Sequence, residues 1–253
     1  MTRTSLDVTG RDCLSFTVSG PWAHFRRLDT TTEKLTYRVI PRTTAAGLVA
    51  AVLGEPRDSY YDTFAPEVSA MAITPLSSLE TMPIPQLTLP TEEGDIQTAD
   101  GVSGKTVVDP GTIATERKRR TFEYIVDPAY RIDLVLDDDA VFERVAEQLL
   151  AGRATYTPYL GKSECLATID DVERTTVTDT DATSVHSTVP EEHVVPGAGK
   201  QLRIERTPAY MKADETGRRT TGFVSYAYSG GDETLTVSDA PTKEVEDRTV
   251  CFI

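Results

Sequence analysis

"YRIDLVLDDDAVFERVAEQLLAGR", residues 130 to 153, holds a strand, a helix start and a helix end in one run. "YRIDLVLDDD" reads as a strand, and Asp137, Asp138 and Asp139 stand where a helix N-terminus favours negative charge. Apolar residues at 141, 142, 145, 146, 149 and 150 then fall on one helix face, and Arg153 closes the segment at the negative end of the dipole. A strand feeding a one-faced helix is the unit from which the rest of the chain is read outward.

Upstream, "ERKRRTFEYIV" (116–126) is a basic run entering an alternating strand. Residues 91 to 115, rich in Gly, Thr and Asp, read as a long exposed excursion, and a loop of that length is functional or disordered. "EVSAMAITPLSSLETMPIPQL" reads as extended structure broken by prolines. "YRVIPRTTAAGLVAAVLG" (37–54) gives a strand end, a turn and a helix, with Pro41 suited to the entry, Thr43 or Thr44 as cap and Gly54 as stop. "CLSFTVSG" (13–20) is a half-buried first strand, and "YTPYLGKSECLATIDDVERTTV" is a turn followed by another strand.

The order is therefore strand, helix, strand, strand, helix, strand: an α+β chain with the split βαβ of a ferredoxin-like domain. That domain is assigned residues 1–178, with the insertion at about 88–124. "DTDATSVHSTVPEEHVVPGAG" (179–199) reads as a polar linker, and "QLRIERTP", "TTGFVSYAYS" and "TLTVSD" as strands of a small C-terminal β appendage within 179–253.

The 253 residues are 39% hydrophobic and 26% charged, the balance of a globular chain able to bury a core. The N-terminus is polar and no apolar run is long enough to span a membrane, so a cytoplasmic protein is expected. Cys13, Cys165 and Cys251 are far apart and lack metal-ligand spacing, as reduced thiols would be. Forty acidic residues against 19 Arg and 7 Lys leave a net charge of -14, an acidic balance of the kind used by halophiles. Such a surface excludes diffuse binding of nucleic acid; any polyanion site must be a local arginine patch.

The phosphate-loop, dinucleotide, zinc-protease and serine-hydrolase motifs are all absent. His24, His186 and His193 are too scattered for a metal site, and no cofactor or metal is expected. Basic residues instead cluster beside aromatic ones: Trp22, His24, Phe25, Arg26 and Arg27; then Tyr37, Arg38 and Arg42; then Arg117, Lys118, Arg119 and Arg120. Arginine forks bind phosphate bidentately, helix N-termini attract it, and aromatic faces stack on unpaired bases. In a chain of net charge -14, the three clusters together point to RNA.

"CLSFTVSGPWAHFRR", "YRVIPRTTAAGLVAAVLG" and "YTPYLGKSE", in this order and spacing, resemble the fifth family of CRISPR-associated (Cas) proteins in the RAMP superfamily, in a subtype I-B-like form of halophilic type. The resemblance is strong over residues 13–54 and extends through 175. It implies a non-catalytic subunit of Cascade, the CRISPR surveillance complex, that grips the repeat-derived 5′ handle of the crRNA. It also implies partners, a backbone subunit whose filament it caps and a large subunit, and a β-hairpin thumb at 88–124. Arg26, Arg27, Arg38 and Arg42 sit in the stretches that match handle-binding segments; Lys118, Arg119 and Arg120 correspond to the thumb base, and "PYLGKSE" to a structural turn. One branch of the family cleaves repeat RNA with a tyrosine, a lysine and a histidine. Tyr37 and Lys118 match the first two, but "RKRRTFEY" has no histidine, and His24 lies in another segment. The expectation is accordingly not an enzyme; the alternatives are a repeat-specific endoribonuclease and a phosphate-metabolite binding domain.

Overall fold

The computed structural model describes residues 5–27, 33–88, 117–197, 202–215, 217–231 and 233–253, and the backbone of 97–98 and 106–107. In chain order the principal elements are β1 (Asp12–Ser19), α1 (Arg42–Leu53), β2 (Ser69–Pro75), β3 (Thr81–Thr88), β4 (Lys118–Val126), β5 (Ala129–Leu136), α2 (Asp139–Leu150) and β6 (Thr168–Thr176). A C-terminal group follows: β7 (Arg203–Asp214), β8 (Gly217–Tyr228), β9 (Thr242–Val245) and β10 (Arg248–Cys251). The class is α+β, dominated by sheet.

β1, β2, β5 and β6 make one antiparallel sheet in the order β6–β1–β5–β2, with α1 joining β1 to β2 and α2 joining β5 to β6. Leu14 faces Leu134 across the ladder, and Phe16 faces Ile132. Side chains alternate between the two faces of a strand, so neighbours in sequence enter different cores. Leu14, Met71, Ile73 and Leu134 pack with Leu48 and Val49 of α1 and Phe142 and Val145 of α2. Cys13, Ala70, Ala72 and Val135 face the other way and pack on Val245 and Val250 of the β9–β10 hairpin. Both faces are covered, which is why the seven residues of β2 are buried without alternation.

The helix ends follow their sequences unequally. Asp138 caps α2, its carboxylate accepting from the backbone N–H of Ala140 and Val141. Gly54 ends α1 at φ 79°, donating its N–H to Ala50 and Ala51. At the other end of α1 the expected threonine cap does not form. The helix begins at Arg42 behind Pro41, whose fixed φ starts the first turn without a side-chain bond, and the Thr43 hydroxyl lies 3.5 Å from the Pro208 carbonyl instead.

β3 and β4 form an antiparallel ladder from Thr81 opposite Ile125 to Thr88 opposite Lys118. The excursion that this ladder leads into lies outside the described residues, apart from Gln97–Thr98 paired with Thr106–Val107.

The stretch read as a polar linker is packed. Val185 and Val189 are buried, as are Ser187 and Thr188: Thr188 N–H donates to the Ile73 carbonyl, and the Ser187 hydroxyl accepts from Cys251 N–H. Polarity misled here because neighbouring backbone satisfies the Ser187 hydroxyl and the Thr188 N–H. The strands read as an appendage contribute to the main core, with Tyr226 and Tyr228 inside it. Residues 251–253 follow the edge of β2, where Met71 and Ile253 exchange backbone hydrogen bonds of 3.2 and 2.9 Å. The three cysteines are buried free thiols; burial pushes Cys165 up to about 11 and Cys251 up to about 12. Among the described residues no helix is long and apolar enough to cross a membrane.

Asp133, fully buried on the face opposite the helices, ties the β9–β10 hairpin to the sheet. Arg248 donates to both of its oxygens, at 2.8 and 3.0 Å, and the Ser15 hydroxyl donates to the same carboxylate. Beside it Arg131 pairs with Glu246 at 3.2 Å. Removing one partner of such a pair strands a buried charge, at about 3–5 kcal/mol, whereas an apolar pair of similar volume is often neutral. Arg248→Ala should therefore lower urea-unfolding stability by about that amount. Asp133→Leu combined with Arg248→Met should recover most of the loss; an equal or larger deficit in the double variant would show that the pair is not the tether.

Candidate nucleic-acid interface

β4 organises the site. Lys118, Arg120, Phe122 and Tyr124 alternate along it and share one face, with the cations toward the excursion and the rings toward the body. Arg119 takes the opposite face. Lys34 pairs alongside Phe122, and its ammonium is held below its ordinary pKa by partial burial and then by the positive charges of Arg26 and Arg120. Arg26, Lys34 and Arg120 thus form one positive strip, with Lys118 continuing it along the strand.

The strip leads into a cleft of about 590 Å³. One wall is the start of α1, at Pro41, Thr43 and Thr44; Tyr60, Tyr61 and Tyr159 supply aromatic surface, and Arg218 reaches in from β8. Gly47 lets Tyr60 seat against α1, since a Cβ there would lie 3.0 Å from the phenol oxygen.

His24 and Lys162 sit at the inner end. His24 is 2% exposed, with its ring 5.5 Å from that of Phe122 and 5.4 Å from that of Tyr124. Its Nδ1 lies 2.7 Å from the Glu123 carbonyl oxygen, which can only accept, so Nδ1 carries the proton and Nε2 is left as an acceptor. Burial, reinforced by Lys162, holds the ring below its ordinary pKa against the pull of that carbonyl. The Lys162 ammonium lies 4.3 Å over the Phe122 ring and donates to Tyr124 Oη at 2.8 Å and Gln86 at 3.1 Å, with Glu164 2.5 Å away.

The residues singled out in the sequence separate on this frame. Arg26, His24, Lys118 and Arg120 contribute to the strip or the cleft. Arg27 lies 5.7 Å over the Tyr37 ring, and Trp22 packs edge-on against Tyr124 at 6.2 Å. Tyr37 lines the cleft but is only 6% exposed. Arg38 turns inward: its guanidinium donates to Leu79 at 3.0 Å and lies 3.9 Å from Glu123, while its backbone N–H meets Glu205.

Arg42 is a correction. At 1% exposure it donates to the carbonyls of Ile253, Phe64 and Ser69 and to the Ser69 hydroxyl, and stacks 4.5 Å over Tyr210. All three guanidinium nitrogens donate internally and Tyr210 covers a face, so it is no surface ligand for phosphate. Lys162 was missed, because "PYLGKSE" reads as a purely structural turn. Gly161 is structural, but the turn it permits delivers Lys162 to the rings. Phe122 and Tyr124 were legible by counting in twos from Arg120.

The family model described as CRISPR-associated protein (Cas_Cas5) matches residues 13–243, and the chain belongs to that family. No curated protein matches the sequence significantly. Among solved structures, a CRISPR protein from Archaeoglobus fulgidus is 16% identical with a TM-score of 0.52, over 94% of this chain and 97% of that one. A chain of a CRISPR RNA-guided surveillance complex is also 16% identical, with a TM-score of 0.49 over 89% and 91%. The first of these likenesses shows a shared fold.

The lowered His24 pKa links the cleft to stability. Below 6.5 the unfolded chain takes up a proton that the folded ring refuses, so stability is lost as pH falls from 6.5. The melting temperature of His24→Gln should consequently decline less between pH 6.5 and 5 than that of the unaltered protein. Parallel declines in differential scanning fluorimetry would dissociate His24 from this dependence.

Proposed function

We propose that this member of the CRISPR-associated family is a non-catalytic subunit of a type I Cascade surveillance complex, acting in antiviral defence. In this reading it binds the 5′ repeat-derived handle of the crRNA, caps the backbone filament and adjoins the large subunit. The sheet order β6–β1–β5–β2, with its two crossover helices, supports a ferredoxin-like RNA-binding core, and the β3–β4 ladder supports a thumb leaving it.

The observation that carries the reading is the path of positive charge. On a chain of net charge -14, Arg26, Lys34, Arg120 and Lys118 line one route from the ladder to an aromatic-walled cleft. Backbone phosphates suit the strip and unpaired bases suit the rings.

One observation favours a second reading, cleavage of repeat RNA: Tyr37, His24 and Lys162 line a common cleft although they come from three segments. Against it, Tyr37 is packed under Arg27, and Lys162 is engaged by Glu164 and Tyr124. Metal-free incubation with repeat RNA separates the two; cleavage abolished by Tyr37→Phe would establish the second.

The binding reading is tested by purifying the complex from its host and sequencing the RNA it holds; a repeat-derived 5′ end is expected. Affinity for single-stranded RNA should also fall with salt, each phosphate contact adding about 0.7 to the log–log slope. Arg26→Ala and Lys118→Ala should each flatten that slope by about this amount. Arg11→Ala, which pairs with Asp137 beside the start of β1 and lines no part of the cleft, should leave it unchanged. An unaltered slope in both variants would remove the strip as the RNA track.

A further inference from the structure

His24 Nε2 is buried and has no hydrogen-bond partner among the described residues. Its state is fixed from the other side of the ring, since the Glu123 carbonyl claims the Nδ1 proton and leaves Nε2 as a bare lone pair. Unmet buried acceptors are rare in native proteins and each calls for an explanation. This one belongs to a side chain that lines the cleft. The same cleft has the N-terminal turn of the 12-residue helix α1 in its wall, together with Arg26 and Arg218. One end of the site therefore suits an anion and another suits a hydrogen-bond donor. Tyr159, 44% exposed, lines the same cleft, and the volume of about 590 Å³ lies in the range of small-ligand pockets.

We propose that His24 is a base-reading residue: the cleft takes one unpaired nucleotide whose exocyclic amino group donates to Nε2. This rests on the RNA-binding reading above and adds a preference to it. Adenine, cytosine and guanine each carry an amino group that meets a lone acceptor. Uracil offers only a ring N–H flanked by two carbonyls, so its donor reaches a lone acceptor with two further acceptors beside it. A site built to accept from an N–H rejects the analogue that lacks it, because its own buried group is then left unpaired.

The test compares two fluorescein-labelled RNA octamers by anisotropy on the full chain. One is built of adenosine; the other is built of purine riboside, which stacks similarly but has hydrogen in place of the amino group. The adenosine octamer should bind roughly tenfold more tightly or better. In His24→Phe, which keeps a ring against Phe122 and Tyr124, the two octamers should bind equally. The ¹⁵N resonance of His24 Nε2 supplies a measurement that needs no variant: it should shift to a hydrogen-bonded value on adding the adenosine octamer and not on adding its analogue. Equal affinities in the unaltered protein, or a preference that survives His24→Phe, would overturn the proposal while leaving RNA binding intact. Failure of both octamers to bind would instead bring down the RNA-binding reading, and base selection with it.

Discussion

The Arg42 guanidinium fixes where the first helix starts, and the site depends on that position. It gathers carbonyls from Phe64 and Ser69, just before and at the start of β2, and from Ile253 at the far end of the sequence, while Tyr210 of β7 covers its face. Burying a guanidinium is tolerable only when its charge and donors are largely met, and here four hydrogen bonds use all three nitrogens while a ring covers a face. The consequence is geometric. Pro41, Thr43 and Thr44 are held at the cleft wall by a residue that never reaches the cleft.

The same accounting explains how so acidic a chain keeps a positive strip. Its basic residues divide into those that hold elements together and those left at the surface. Arg42, Arg38, Arg131 and Arg248 are used internally, on backbone carbonyls or on Asp133, Glu123 and Glu246. Lys118, Arg119 and Arg26 are exposed. Charge counting alone cannot make this division, because "HFRR" and "YRVIPR" each hold two arginines, yet Arg26 is exposed while Arg38 and Arg42 turn inward.

That is also the measure of what the sequence disclosed. Much of α2 was readable: its acidic start, most of its buried face and its strand follow from local chemistry, although Leu150, read on that face, is exposed. The Gly54 stop was readable for the same reason, as was the order of strands and helices through residue 176. Long-range partners were not. Nothing near "TSVHSTV" says that the Thr188 N–H will meet β2 and the Ser187 hydroxyl Cys251, and the β9–β10 hairpin that covers the second face of the sheet was not recognised in "TKEVEDRTVC". The site divided along the same line. His24, Arg26, Lys118 and Arg120 were found by local clustering, whereas Lys162, Tyr60 and Arg218 reach the cleft only through tertiary packing.

The junction between the His24 strand and the Pro158–Glu164 turn shows how such a site is built from a residue without a side chain. His24 N–H donates to the Leu160 carbonyl at 3.1 Å, drawing the turn against the strand. At Gly161 a Cβ would lie 2.1 Å from the His24 carbonyl oxygen, and the backbone there has φ 89°, a region that favours glycine. Glycine is therefore required twice over, for the approach and for the conformation. The next residue is Lys162, and because the turn is pressed so close its ammonium comes to rest over Phe122. His24, held from behind by Glu123, is walled in by the same contact. The buried acceptor, the neutral imidazole and the nearby cation follow from one close backbone approach, which makes the inner end of the cleft a single mechanical unit.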